Sequence, residues 1–565
     1  MNVENLVNAA LAVEKPELVL KNARVINVLT GEIVNGDIAV NDGVIVGVGQ
    51  YSGKREIDVA HRYVAPGFIN AHVHVESSMV TPAVYSMEEL KWGTTTIITD
   101  PHEIANVGGS DALSDILAAA DRCPINYYVM LPSCVPSTGF EHSGAVLNAE
   151  ELSRFKNDPH VLGLGEMMNA VGVLQQNKEV MDKLRTFSGM VIDGHAPGYS
   201  GKELNAYAVA GIHTDHESVS YEEALEKLRC GMAVLVREGS ASRNLTDIIS
   251  GVVKNKIDTS RMAFCTDDKH FADICREGTI RMNIKKAIAL GVPPVRAVQM
   301  ATINAAHIYG LRHIGAIACG YRADMVVLDS LEDMTVYDVY KDGVPLAQIK
   351  SPKPYVYGEK LLHSVNVAPL DQSDFAVPEK EKYSVIGLIE GQIVTRKLTM
   401  THNEVQEGMK NGTVRKITVV ERHHATGCTA SAYLAGYGLT HGAVATTVAH
   451  DSHNIIIVGD NDSDMLAAVR ELERIDGGYT IVADGQVIGS LPLTLGGLMS
   501  LEKAENFIPA LDEMIKIAYS MGINKNIDPF ITLSFTALPV IPEIRITDCG
   551  LFDVSRFAFV DEADR

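Results

Sequence analysis

Residues 66–79 read PGFINAHVHVESSM. An apolar run ends there in His72 and His74, spaced as His-x-His. Alternate side chains of a strand share a face, so the two imidazoles leave the same side, two residues apart. Two neutral imidazoles converging at a strand end can grip a divalent cation. Taken alone, such a pair is more often an ordinary surface or core pair. Its meaning depends on what ends the strands that follow.

Residues 65–312 alternate β-like and helix-like patterns. Strands are expected at 67–74, 94–100, 126–131, 161–166, 190–195, 211–216, 232–236 and 262–267. Helices are expected at 110–120, 221–229 and 273–290. Eight strand–helix units over about 250 residues give the rhythm of a (β/α)8 barrel, whose active site lies at the C-terminal ends of its strands. Those ends are polar and of one chemical kind. The first carries His72 and His74, and the second carries Asp100 followed by His102 and Glu103. Glu166, His195, His216 and Asp267 end the fourth, fifth, sixth and eighth. Each has a structural reading, and Asp100 is expected to cap the next helix. Their coincidence at one rim points instead to a metal site.

Two Val- and Ile-rich stretches, 18–64 and 323–346, flank this region. Thr30-Gly31, Asn35-Gly36, Asp42-Gly43 and Asp342-Gly343 suit tight hairpin turns. The flanks are expected to form one small β-sandwich. A linker, Ser351-Pro352-Lys353-Pro354, precedes a different pattern: strands at 416–421, 443–448, 454–458 and 479–483, and a helix at 462–475 capped by Asp462 or Ser463. The expected fold is therefore α/β: a (β/α)8 TIM-like barrel (66–312), a β-sandwich built from 1–65 and 313–360, and a C-terminal α/β domain (361–565). The last domain carries a second group, His423, His424, His450, Asp451 and His453. It reads as a second metal site, a cover over the barrel mouth, or a set of satisfied histidines at domain contacts.

The chain of 565 residues is too long for one core. A net charge of −22 argues against nucleic acid or an acidic membrane as partner. It suits a protein that forms homo-oligomers. The eight cysteines are scattered without Cys-x-x-Cys, so neither a disulfide framework nor a zinc ribbon is expected. The first twenty residues lack a basic start and an unbroken apolar run, so no secretory signal is expected. No run approaches a membrane span. A reduced, cytoplasmic setting follows as the expectation.

HVHVESSM, TDPHEIANV, GLGEMMN and FCTDDK, with the long C-terminal domain, resemble the amidohydrolase superfamily and, within it, the bacterial-type adenine deaminase branch. The resemblance covers essentially the full length. Many superfamily members bridge their metals with a carbamylated lysine; here Glu166 stands in that place, as in the adenine deaminase branch. The resemblance implies hydrolytic deamination of adenine to hypoxanthine and ammonia by a metal-held hydroxide. It implies two divalent ions, Mn2+ or Fe2+ rather than Zn2+, although four imidazoles and two carboxylates suit all three. His72, His74 and Asp267 would hold the more buried ion, His195 and His216 the other, with Glu166 shared. Asp267 is the expected proton shuttle. The acid for the purine ring stays open among Glu76, Glu103 and Asp268. Ser77 and Ser78 either reach ring nitrogens or cap the helix that Thr81-Pro82 begins. The loop Phe140-Glu141-His142-Ser143-Gly144 is expected to be structural.

Two other readings share these residues. One is a cyclic-amide or N-acyl hydrolase resembling hydantoinases. The other is a non-catalytic scaffold, which would be expected to have lost ligands. The cytidine-deaminase pattern is excluded because no P-C-x-x-C exists.

Overall fold

The computed structural model describes residues 2–240 and 242–560. Residues 1 and 561–565, the outer ends of the first and last expected domains, lie outside the described residues. Eight parallel strands form the centre: β1 (Phe68–Val73), β2 (Thr94–Thr99), β3 (Asn126–Leu131), β4 (Val161–Met167), β5 (Val191–Gly194), β6 (Thr214–Asp215), β7 (Ala233–Arg237) and β8 (Met262–Cys265). β1 to β5 pair in sequence as one arc, and β6 to β8 as another. Backbone hydrogen bonds close both seams. The His213 N–H donates to the Ile192 carbonyl at 2.9 Å, and the Asp267 N–H donates to the His72 carbonyl at 3.1 Å. This is a TIM-like barrel.

The period of two explains which side chains meet inside. Ile98, Leu235, Ala263 and Cys265 share one apolar cluster, bordered by Leu162 and Val191. Continuing each alternation leads to Asp100, Arg237, Asp267, Glu166 and His195. β1 needs an adjustment. Ile69 and Ala71 belong to that cluster, so His72 and His74 are out of phase with them. The register against β2 shifts between Asn70 and Val73, which absorbs the offset.

Strands from both flanks share one eight-stranded sheet, in which Tyr63–Pro66 pairs antiparallel with Met325–Ser330. Its turns correct one expectation. Asn35-Gly36 is not a turn but lies within the strand Glu32–Asn41, opposite Ala23 and Arg24. The chain reverses at Thr30-Gly31, where Gly31 has φ 78°. Asp42-Gly43 and Asp342-Gly343 do turn, with positive φ at all four residues. The expected helix 273–290 is two helices, Phe271–Glu277 and Ile280–Ala289. Gly278 breaks it at φ 78°, a conformation a helix interior cannot hold.

The C-terminal region is a second eight-stranded sheet with the helix Asp462–Arg474 packed on one face. Met465, Ala468, Val469 and Leu472 meet Ala443, Ala445, Ile455, Ile457 and Val482 there. The helix is capped by Asn461, not by Asp462 or Ser463: its side chain accepts from the Asp464 N–H at 2.8 Å. No helix among the described residues is long and apolar enough to cross a membrane.

Candidate active site

At the C-terminal rim of the barrel the strand-end residues converge on Glu166. Its Oε1 lies 3.3 Å from His74 Nε2 and 3.2 Å from His102 Nδ1. Its Oε2 lies 2.6 Å from His195 Nδ1 and 3.1 Å from His216 Nε2. Asp267 Oδ1 stands 3.2 Å from His74 Nε2 and 3.9 Å from His72 Nε2. The His72 and His216 rings stack at 4.0 Å. All six expected ligands thus share one site. His72, His74 and Glu166 form one tight group of donor atoms, and His72, His216 and Asp267 another.

The surroundings orient these donors. His74 Nδ1 contacts the Asp100 carbonyl at 2.9 Å. As the donor in that contact, it leaves the Nε2 lone pair facing the site, the tautomer a metal ligand needs. Asp100 does not cap a helix. Its Oδ2 accepts the Glu166 N–H at 2.8 Å and braces β4 against β2. Pro101 occupies the cap position instead. The Ser133 hydroxyl donates to the Glu166 carbonyl at 2.5 Å. Asp267 adopts φ 58°, which turns its carboxylate into the mouth.

Several buried nitrogens here lack hydrogen-bond partners among the described residues: His72 Nδ1, His216 Nδ1 and His102 Nδ1. His102 Nδ1 faces a carboxylate oxygen yet lies outside hydrogen-bond alignment. Four imidazoles and two carboxylates packed this closely, with lone pairs facing one another, fit shared cations. Burial works against charge on Glu166, but His216 and His195 outweigh it and hold its carboxyl well below the usual range. Burial likewise opposes ionisation of Asp267; its hydrogen bond with His74 and the Arg237 cation prevail, and its pKa is lowered.

Two residues of the site, Arg237 and Glu217, had no expected role, and a third, His102, was expected only as part of the polar rim. Arg237 Nη1 donates to Asp267 Oδ2 at 2.8 Å, and its Nη2 donates to Glu217 Oε2 at 3.0 Å. His102 reaches Glu166 as described. Arg237 lies one residue past the expected end of its strand, Glu217 directly follows His216, and His102 sits beside Glu103; proximity to a strand end was the available signal.

The substrate-contact candidates separate. Asp268 is half-buried, lines the mouth, and accepts a hydrogen bond from the Ser77 hydroxyl. Ser78 instead donates to the Val75 carbonyl at 2.5 Å, so its hydroxyl is used within its own turn. Neither serine caps the helix Pro82–Lys91. Glu76 is buried, and its Oε1 accepts the Ile104 N–H at 3.2 Å. Both oxygens of Glu103 are engaged: Oε1 contacts His450 Nδ1 at 2.5 Å, and Oε2 contacts His453 Nε2.

The second histidine group therefore divides. His450 and Asp451 line the same cavity as the metal-type donors, while His453 holds Glu103 from behind. His423 and His424 contact the carbonyls of Ser452 and Ser143, at 2.6 and 3.0 Å, as structural histidines. The cavity has a volume of ≈ 990 Å³. Its outer wall is apolar and comes from the C-terminal domain, including Ile393, Phe535, Leu538 and Ile541.

Comparison with known proteins fits this architecture. The amidohydrolase family model matches residues 63–346, and the adenine deaminase C-terminal domain model matches residues 392–558. The chain belongs to the amidohydrolase family. It is 47% identical over 563 residues to an adenine deaminase of Desulfitobacterium hafniense (strain Y51), covering 99% of each chain. It is 46% identical to adenine deaminase 2 of Carboxydothermus hydrogenoformans, again over 99% of each. Within the amidohydrolases it therefore belongs to the adenine deaminase family. A crystal structure of an adenine deaminase aligns at a TM-score of 0.46 and 15% identity, covering 59% of this chain and 99% of the other.

Proposed function

We propose that this protein hydrolyses adenine to hypoxanthine and ammonia. The observation that carries the reading is Glu166, each of whose oxygens faces a pair of imidazoles in the cavity at the barrel mouth. Near-complete alignment with curated adenine deaminases supplies the substrate.

His72, His74, Glu166, His195, His216 and Asp267 would hold two divalent ions, manganese or ferrous iron in our reading. Bound there, such ions make a water molecule acidic enough to attack at neutral pH. The remaining work falls to the chain. Asp267 Oδ2 is occupied by Arg237, so Oδ1 is the oxygen that takes the water proton and passes it to the departing amine. Asp268 is our choice of contact for the ring nitrogen beside C6. Of the three candidates, only it lines the mouth without both oxygens already engaged. The apolar wall from the C-terminal domain covers the purine and excludes bulk water. Water supplies the oxygen that replaces the amino group, and the two protons it brings leave with ammonia and the ring.

We also propose the division into 1–65 with 313–360 as a β-sandwich, 66–312 as the barrel, and 361–565 as the C-terminal domain. A cytoplasmic homo-oligomer suits the acidic composition. The test is incubation of manganese-loaded protein with adenine, followed by ultraviolet detection of hypoxanthine and measurement of ammonia. Equal amounts of both are expected. Ring opening of a hydantoin without ammonia from adenine would overturn the proposal in favour of a cyclic-amide hydrolase.

A further inference from the structure

Away from the barrel mouth, four potential ligands from three distant segments meet at the contact between barrel and C-terminal domain. His142 comes from the loop after β3. Cys428 follows the strand Val414–Val420, and Asp548 and Cys549 form the turn between the strands Ile544–Thr547 and Gly550–Asp553. His142 Nδ1 lies 2.5 Å from Asp548 Oδ2. Cys549 Sγ lies 3.5 Å from that nitrogen and 3.7 Å from that oxygen. Cys428 offers its sulfur within 4.8 Å of a donor atom of His142 and of one of Asp548.

We propose that these four residues form a structural site for a thiophilic divalent cation, with zinc the best fit. Two thiolates, one imidazole and one carboxylate are a donor set that zinc accepts in tetrahedral geometry. With bonds of about 2.0–2.3 Å, the edges of such a tetrahedron are roughly 3.3–3.8 Å. The two Cys549 sulfur distances match, and Cys428 lies within 4.8 Å. The His142–Asp548 pair shares a hydrogen bond and has only to open as the cation takes the proton's place.

The surroundings are built to hold these ligands. Asp548 is buried, and its Oδ1 accepts from the His142 N–H at 3.1 Å and from Asn454 Nδ2 at 3.3 Å, which aims Oδ2 at the cluster. The N–H of each cysteine donates to a nearby threonine hydroxyl, Cys428 to Thr426 and Cys549 to Thr547, both at 3.2 Å. A cation bound here would displace the thiol protons. Cys428 is half-buried and Cys549 exposed, so the site is open to metal from solvent.

The position gives the cation a purpose. Phe140, two residues before His142, packs among Phe552, Phe557 and Phe559. Asn454 also donates to the His142 carbonyl at 2.8 Å, and it directly follows His453. A cation here fastens the C-terminal domain to the barrel beside the loop that delivers His450 and Asp451.

Cobalt(II) tests this in the full-length protein. After metal depletion and cobalt loading, wild type should show a thiolate-to-cobalt charge-transfer band in the near ultraviolet. Cys428→Ser/Cys549→Ser should lose the band and one metal equivalent while keeping the barrel metals. Its loss by that variant also excludes as the source the buried Cys134, which lies with His102 and Asp451. If the double variant does not fold, wild-type protein still decides the matter: zinc should slow modification of Cys549 by a thiol reagent roughly tenfold or more. Absence of the band from wild type, its persistence in the folded double variant, a Cys428–Cys549 disulfide found by peptide mapping, or thiol modification indifferent to zinc would overturn the proposal. None of these readouts depends on the reaction at Glu166.

Discussion

Glu166 and Glu103 are both fully buried carboxylates standing between histidines, but their partners are arranged differently. Around Glu166 the imidazole nitrogens crowd one another; His72 Nε2 and His74 Nε2 are 3.2 Å apart. Around Glu103, Oε1 faces His450 Nδ1 and, at 3.3 Å, His102 Nε2, while Oε2 has His453 alone. His453 shows the contrast at one ring. Its Nδ1 accepts the Ala449 N–H at 3.1 Å, so its Nε2 carries the proton that it donates to Glu103. A cation on Nε2 would require a proton on Nδ1, directly against that backbone donor. At His74 the second nitrogen faces a carbonyl instead, which favours a free lone pair on Nε2. The partner of the second ring nitrogen separates a metal-type cluster from a hydrogen-bonded brace.

The sharpest way to break this contrast is to remove each carboxylate in turn. Glu166→Ala, like His72→Ala, should lower bound metal and reduce turnover by about 10⁴-fold or more, since residues of one catalytic unit do not fail independently. Plasma emission on the purified variants checks the metal. Asp267→Asn should preserve the thermal unfolding midpoint to within a few degrees but lower kcat by about 10²–10⁴-fold, the usual scale of a lost acid–base group. Unchanged turnover would remove Asp267 from its assigned role. Glu103→Gln should keep the full metal complement and lose activity by about 10–100-fold, because it only positions neighbours of the site. Metal loss equal to that of Glu166→Ala would erase the distinction between the two carboxylates.

The two clusters also differ in how well they can be read from the chain. Every expected ligand around Glu166 lies at the end of a short apolar strand, and strand alternation, with the register shift in β1, brings them to one rim. Glu103 and His450 are separated by 347 residues, and nothing local to either names the other. The same limit explains Asp100. Its local pattern is that of a helix cap, but its partner is the Glu166 N–H, 66 residues away. Arg237 ends an apolar strand like the other site residues, but sits just beyond the strand's expected limit. In the flank, Asn35-Gly36 and Thr30-Gly31 both carry turn chemistry, and pairing with Ala23 and Arg24 decides between them.

The smallest expected effect concerns pH and isolates the brace. Burial disfavours charge on His450, but Glu103 overcomes it and raises the pKa from 6.5 to about 9. A histidine raised in this way stabilises the folded state fully below its unfolded value, and that contribution is lost as pH rises through the folded value. The window therefore runs from 6.5 to about 9. In urea titrations of metal-loaded protein, wild type should exceed Glu103→Gln in stability at pH 6, and the gap should narrow steadily as pH rises across that window. Glu103 itself sits well below the usual carboxyl range, so it keeps its charge throughout and adds no slope there. A gap that stays constant would mean that His450 is neutral beside Glu103. The contact would then be an uncharged histidine donating to a carboxylate, still a brace but one without a proton to lose.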